Sequence, residues 1–396
     1  CATVGGCSYI EATSQASQHQ IDGQQNGGRL QMAKLKIILL TATLIITTHV
    51  VFSKSVLSKD RPIKFQNNYL AFEPPGLFEF LKWRWNALID GHPKSAQAPT
   101  PRVDADLAFI HANSQAGRQM QPAVTWIGHA TALVQFAGLS MLTDPIFSER
   151  ASPFSLVGPK RAHPPGIALK DLPHIDLVLI SHNHYDHLDE ASVRALSSQA
   201  GGSPLFLVPS GVKAWFKGLG ISNVIELAWW QSHHLQSPSG TVEIVFTPVQ
   251  HWSGRTLTDR MDTLWGGFAV FADDFHFFHV GDTSYSADFQ DIAKRFADRQ
   301  TDHGFDLVLI PIGAYAPRWF MKDQHVDPQE AVQIHKDLRA RQSVAYHWGT
   351  FSLSNEALDD PPIALAAALK EQDISVVEFS AIAIGETLKL PSRFAR

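Results

Sequence analysis

The sequence predicts an α/β protein in which stacked β-sheets are covered by helices, folded as a single domain. Three observations carry this expectation. Short apolar runs bounded by Gly, Pro or Asp recur from Val124 to the end of the chain, as strands do. Helix-forming stretches interrupt them, so strands and helices are interspersed. Several of the runs are followed at once by His or Asp, the placement expected where sheets gather a site at their ends.

The elements follow in order. Residues 1–31 are polar, rich in Gln, Gly and Ser, and lack hydrophobic periodicity, so they are expected to be disordered or to precede the true start. Met32 opens a different pattern, in which Lys34 and Lys36 precede an apolar run from Ile37 to Phe52. This is the layout of a secretory signal or an uncleaved anchor over residues 32–56. It implies a cell-envelope location, periplasmic or membrane-associated. Residues 57–103 are expected to hold an amphipathic helix and a linker. Phe78, Leu81, Trp85 and Leu88 stand at helical spacing, which predicts packing on the domain, with contact to a lipid surface as the sharper alternative. The main folded domain is expected over residues 104–396.

Within that domain, Val124–Ile127, Ala132–Phe136 and Leu139–Leu142 read as strands, with Gly138 at a turn. Asp176–Ile180 and Asp306–Pro311 read as buried strands, with Leu205–Val208, Val242–Phe246, Gly267–Phe271 and His276–Val280 as further strands between them. Pro328–Leu338 is expected to be a helix, because Asp327 can cap it and Pro suits its first turn. Ser343–Tyr346, Ser375–Phe379 and Ile382–Leu390 complete the strands.

Composition narrows the function. With 44% hydrophobic and 18% charged residues and a formal net charge of −5, the chain has ample core and no basic nucleic-acid surface. Its only cysteines, Cys1 and Cys7, precede Met32, which excludes thiolate ligands and a disulfide framework from the domain. Any metal there must be held by His, Asp or Glu. The 10 Trp and 24 Phe suggest aromatic surface as well as core.

Chemistry concentrates in His182-Asn183-His184-Tyr185-Asp186-His187. Four candidate ligands, His182, His184, Asp186 and His187, follow the run Leu177–Ile180 and therefore lie on the loop at a strand end. An irregular loop can turn alternate side chains toward two points. Imidazole and carboxylate are the ligands expected of Zn²⁺ when thiolates are absent. His251, Asp282 and His347 each follow an apolar run and could complete a metal pair.

The order His-x-His-x-Asp-His, then His, then Asp in Gly-Asp-Thr, then a late His, resembles the metallo-β-lactamase superfamily, whose fold is an αββα sandwich. Within it the chain is similar to the phospholipases D that hydrolyse N-acylphosphatidylethanolamine. The stretches that carry the resemblance include Trp126–Thr131, Leu142–Pro145, Gly158–Arg161, His182–Asp189, Gln250–Trp252, Gly281–Thr283, Pro311–Tyr315, Gln324–Pro328 and His347–Phe351, and they cover roughly residues 72–390. The resemblance implies two Zn²⁺ per chain. His182, His184 and His251 would hold one, Asp186, His187 and His347 the other, and Asp282 would bridge them. A hydroxide shared by the metals would attack the phosphodiester, with Asp186 and Asp282 as catalytic carboxylates, releasing N-acylethanolamine and phosphatidic acid. Tyr185, Gln324 and His325 would lie near the substrate phosphate. The partner is then a phospholipid at a membrane surface, not nucleic acid. A homodimer is left open.

Two other functions compete with this one: a lactonase or soluble phosphodiesterase with the same site, and a non-catalytic envelope-regulating protein. Seven ligands argue against the last. His129, in Gly-His-Ala-Thr, is expected to be structural or to support a ligand. His233-His234 reads as loop surface.

Overall fold

A computed structural model describes residues 64–256, 258–300 and 303–393. The segments 1–31 and 32–56 lie outside the described residues. Fourteen strands run in chain order: β1 (Ala123–Gly128), β2 (Thr131–Phe136), β3 (Leu139–Thr143), β4 (Leu177–Leu179), β5 (Leu205–Pro209), β6 (Val224–Leu227), β7 (Ser232–Ser237), β8 (Gly240–Thr247), β9 (Gly267–Phe271), β10 (His276–His279), β11 (Leu307–Pro311), β12 (Ser343–Tyr346), β13 (Phe379–Ser380) and β14 (Thr387–Lys389). Eight α-helices accompany them among the described residues: α1 (Leu77–Ile89), α2 (Leu107–Ser114), α3 (Glu190–Ser197), α4 (Lys213–Gly218), α5 (Asp288–Arg295), α6 (Arg318–Met321), α7 (Pro328–Asp337) and α8 (Asp360–Glu371).

The strands form two seven-stranded sheets, ordered β14-β1-β2-β3-β4-β5-β6 and β13-β12-β11-β10-β9-β8-β7. Each sheet has three antiparallel pairings at one end and three parallel ones at the other, β14 to β3 and β7 to β10 being the antiparallel parts. Side-chain alternation shows how the first sheet is buried on both faces. Val124, Trp126, Leu177 and Leu179 join the core between the sheets, with Phe246, Phe268 and Phe278 of the second sheet. Their neighbours Ile127, Val178 and Ile180 point the other way, into a second core with Ile110, Val193, Leu196 and Phe216 from α2, α3 and α4. Helices α5, α7 and α8 pack Phe289, Ile292, Ile334 and Leu365 on the central core. The layers are therefore helix, sheet, sheet, helix. Helix α7 starts as expected, with a full capping box between Asp327 and Glu330 and Pro at its first turn.

Three elements depart from expectation. In α1 the side chains that are buried are Trp83 and Ala87, whereas Phe78 is 75% and Trp85 52% exposed. The stripe predicted to pack inward faces outward, and the helix is held instead by Trp83, which stacks on Phe320 at 4.9 Å and donates to Asn355 Oδ1 at 2.8 Å. His233 and His234 lie on β7, an edge strand, not in a loop. Ser375–Phe379 forms a turn, with Glu378 N–H bonded to Ser375 O, and the strand begins only at Phe379. The described residues belong to one compact unit, Ile63–Arg396. The stretch read as a linker is tied into it, since Gln97 and Ala98 N–H both donate to Asp359 Oδ2 and Thr100 Oγ1 donates to Gly349 O.

Candidate metal centre

Polar side chains converge where β1, β3, β4, β8, β10 and β12 end. The loop after β4 carries His182, His184, Asp186 and His187. His251 lies after β8, Asp282 after β10 and His347 after β12. Two close approaches place them. Gly313 has no side chain where a Cβ would meet His347 O at 2.1 Å, and at Gly281, φ +74°, a Cβ would meet Gly266 O at 2.7 Å and Ser181 Cβ at 2.9 Å. His129 and His347 themselves adopt left-handed backbone, at φ 53° and 62°, and His347 N–H donates to His129 O at 3.0 Å. Such conformations cost free energy and persist where surrounding bonds over-determine them.

The side chains fall into overlapping groups whose ligand atoms lie within 4.8 Å of one another: His182, His184 and His251; His129, Asp186, His187 and His347; and sets that include Asp282. His184 Nδ1 stands 2.8 Å from His182 Nε2 and 3.3 Å from His251 Nε2. In the second group, Asp186 Oδ2 is 3.6 Å from His187 Nε2 and 3.4 Å from His347 Nε2. Asp282 Oδ2 lies between the groups, 3.1 Å from His187 Nε2, 3.2 Å from His347 Nε2 and 4.0 Å from both His182 Nε2 and His251 Nε2.

The bonds behind the rings assign their tautomers. Ser181 Oγ donates to Asp144 Oδ2 at 2.7 Å, so it accepts from His182 Nδ1–H at 2.9 Å. His251 Nδ1–H donates to Gln324 O at 2.8 Å, and His187 Nδ1–H to Asp144 Oδ2 at 2.9 Å. Each of these rings therefore turns its Nε2 inward, as a lone pair on neutral His182 and His251. His187 Nε2, His347 Nε2 and Asp282 Oδ1 are buried without a hydrogen-bond partner. Buried polar atoms are rarely left so, and several facing one point are what a cation would satisfy.

The charge states agree. Burial pushes His182 and His251 well below the ordinary imidazole value and His184 to about 3, so all three are neutral. Burial resists ionisation of Asp186 and Asp282, but neighbouring imidazoles, His187 foremost, hold both carboxyls well below the usual range. Burial also opposes a proton on His347, yet Asp282 and then Asp186 raise it to about 9. Neutral imidazoles beside ionised carboxylates are the forms that bind metal. A cation would take the place of the protons that His187 and His347 otherwise carry. The cluster is thus capable of holding metal.

Other predicted site residues take several positions. His325 reaches the cluster, with Nδ1 3.9 Å from Asp282 Oδ2 and its ring 5.2 Å from that of His251. The Gln324 carboxamide is only 4% exposed; it accepts from Trp252 Nε1–H at 2.9 Å and donates to Phe320 O at 2.8 Å. Its contribution to the centre is the backbone carbonyl that holds His251. Tyr185 lies in an adjoining cleft of about 640 Å³, its ring 3.9 Å from the Arg255 guanidinium and its hydroxyl donating to Arg255 O at 3.2 Å. His129 is bonded to a candidate ligand, with Nε2 3.0 Å from Asp186 Oδ2.

Asp144 was missed as a site residue. Fully buried, it accepts from Ser181 N–H, Ser181 Oγ, His187 Nδ1 and His279 Nε2, the last at 2.9 Å. In sequence it is one Asp before a Pro, a pattern that reads as a turn.

Comparison with known proteins agrees with the fold. Residues 140–348 match the model of the beta-lactamase superfamily domain. The chain is 39% identical over 277 residues to N-acyl-phosphatidylethanolamine-hydrolyzing phospholipase D 1 of Caenorhabditis elegans, covering 68% of this chain and 76% of that protein. It is 40% identical over 242 residues to the mitochondrial N-acyl-phosphatidylethanolamine-hydrolyzing phospholipase D of Saccharomyces cerevisiae, covering 60% of this chain and 49% of the yeast protein. Among solved structures, an isothiocyanate hydrolase from Delia radicum gut bacteria shares the fold, with a TM-score of 0.52 and 22% identity over 68% of this chain and 99% of that one.

These findings correct the expected cell-envelope location. A relative carries a mitochondrial designation, and no helix among the described residues is long and apolar enough to cross a membrane. The apolar run on which the expectation rested lies outside the described residues. By its matched domain, its relatives and its layered fold, the chain is a metal-dependent hydrolase that belongs to the metallo-β-lactamase superfamily, close to the phospholipases D named for hydrolysis of N-acylphosphatidylethanolamine.

Proposed function

We propose that the chain is a dinuclear zinc phosphodiesterase that hydrolyses N-acylphosphatidylethanolamine to N-acylethanolamine and phosphatidic acid. The observation that carries this reading is Asp282 lying between two ligand groups, within 4.0 Å of imidazole nitrogens from both. His182, His184 and His251 would hold one metal and Asp186, His187 and His347 the other, with Asp282 shared. When bound, the pair would supply an ionised water at neutral pH and offset charge growing on the phosphoryl oxygens.

The chain's own residues set the geometry. Ser181, Asp144 and Gln324 hold three imidazoles in the tautomers that present Nε2. His129 fixes one oxygen of Asp186 and leaves the carboxylate to orient the attacking water. Burial lowers His325 to about 4, so it is neutral and can donate one N–H to a non-bridging phosphoryl oxygen. The substrate meets the enzyme at a lipid surface, because its chains are buried in a bilayer. The exposed stripe Phe78, Leu81, Trp85, Leu88 and Ile89, with exposed Trp319 nearby on α6, offers apolar groups for that meeting.

The test is turnover of N-acylphosphatidylethanolamine vesicles against a lactone and a small soluble phosphodiester, with elemental analysis of the same sample. Faster turnover of vesicles, close to two zinc ions per chain and loss of activity to a chelator are expected. Faster turnover of lactone or soluble diester overturns the substrate; a metal-free, fully active sample overturns the centre.

A further inference from the structure

The segment before α1 runs alongside the metal centre. Phe65 N–H donates to Met261 O at 2.9 Å, and Asn68 Nδ2 donates to Asp288 Oδ1 at 2.7 Å. Between these staples stands Asn67, whose side chain grips the backbone of a single residue. Its Nδ2 donates to His251 O at 2.9 Å, and its Oδ1 accepts from His251 N–H at 3.1 Å. The same Oδ1 accepts from Nε1 of the buried Trp265 at 3.1 Å.

The grip falls one residue beyond Gln250, which is bridged to Ser284. β8 ends at Thr247, so His251 lies beyond the last ladder bond of its strand. A primary amide is the side chain that can give and take a bond with the N–H and C=O of one residue, in the manner of a neighbouring strand. On the other side, Gln324 O holds His251 Nδ1. The residue is thus fixed at its backbone from the arm and at its ring from the loop before α7, and its Nε2 is left facing His184. Asn67 is 184 residues away in sequence and outside the matched domain of residues 140–348.

We propose that Asn67 is a positioning residue of the metal centre, and that the arm preceding the sandwich sets the place of His251. The proposal rests on His251 being a ligand, as in the function proposed above. Outer partners of metal ligands change affinity or activity by about 10–100-fold when removed. Asn67→Leu keeps the approximate shape and loses all three bonds. Asn67→Asp keeps the acceptor, loses the donor and sets a carboxylate against His251 O.

The experiment measures zinc affinity of the full chain by chelator competition, alongside the thermal midpoint of the metal-free protein and the split between kcat and KM. Asn67→Leu is expected to weaken one of two zinc ions by about 10–100-fold, with Asn67→Asp between it and the parent, and to lower kcat more than it raises KM. Asn68→Ala, which loosens the same arm through Asp288, is expected to leave zinc affinity unchanged. If Asn67→Leu does not fold, the Asp variant alone must show the loss. Parent-like zinc affinity in both Asn67 variants overturns the proposal, as does an equal loss in Asn68→Ala, which would mean that arm docking in general matters. His251→Ala separates the two levels. If it too keeps both zinc ions, the ligand assignment falls and takes this proposal with it; if it loses zinc while the Asn67 variants do not, only this proposal falls.

Discussion

Replacing Asp144 by Asn tests how the centre is held. Asp144 has no exposed surface and accepts four hydrogen bonds, two from Ser181 and one each from His187 and His279. Burial resists its ionisation, but His279 and His187 prevail and hold its carboxyl at about 2, below its ordinary 3.8. A shift of that size corresponds to about 2 kcal/mol. Because the folded value is the lower one, this stability is fully present above pH 3.8 and is lost as pH falls toward 2. The amide removes the charge and turns an N–H₂ toward donors on at least one side. Removing one partner of a buried charged network costs about 3–5 kcal/mol. With an m value near about 3 kcal/mol/M, the urea midpoint of the chelated protein should fall by roughly 1 M at pH 7. The deficit should shrink as the pH falls toward 2, where the parent carboxyl is itself becoming protonated. Nitrogen chemical shifts of His187 should show its tautomer released. A variant with the parent's midpoint at pH 7 and His187 still protonated on Nδ1 would refute the reasoning.

Three further outcomes are expected. Gly313→Ala should displace His347, since the new Cβ would meet its carbonyl oxygen at 2.1 Å, and elemental analysis should show less bound metal in a folded protein. His325→Ala should leave metal content unchanged while lowering kcat on lipid vesicles by about 10²–10³ if its N–H acts mainly in the transition state; unchanged kcat removes it from the reaction. Phe78→Ser with Trp85→Ser should leave the thermal midpoint within about 1 °C, because both side chains are exposed. The pair should weaken co-sedimentation with phospholipid vesicles and raise the apparent KM for them; unaltered sedimentation removes this stripe from the lipid surface.

Much of the site was legible because its chemistry is dense and local. His182, His184, Asp186 and His187 occupy six consecutive positions after an apolar run, and the structure does set them at the end of β4. His251, Asp282 and His347 could be read from the same rule, a polar residue following a strand. What escaped was whatever depends on direction or on distant contacts. Periodicity showed that α1 has a stripe but not which way it faces, and its inward side is the less obvious pair Trp83 and Ala87. β6 and β7 were passed over, since β7 is polar and alternates exposed and half-buried side chains as an edge strand does. Asn67 and Asp144 act across 184 and 135 residues, to His251 and His279. A single Asn or Asp in an irregular stretch carries no mark of such a partner.

The position of Asp144 explains why this centre and this fold are hard to separate. It directly follows β3, in the first sheet, whereas His279 belongs to β10, in the second. Its carboxylate therefore joins the two sheets through His279 and the ligand loop through His187 and Ser181. In each sheet the pairing changes from antiparallel to parallel at the strands concerned, β3 with β4 and β10 with β11. Strand ends at such a change leave room for side chains to meet. One buried charge at that seam orients a candidate ligand and bridges the sandwich. Loss of the seam should therefore lower stability even in protein stripped of metal, whereas loss of an inward-facing imidazole such as His184, whose Nδ1 faces His182 and His251, should lower metal affinity with little effect on the stripped protein.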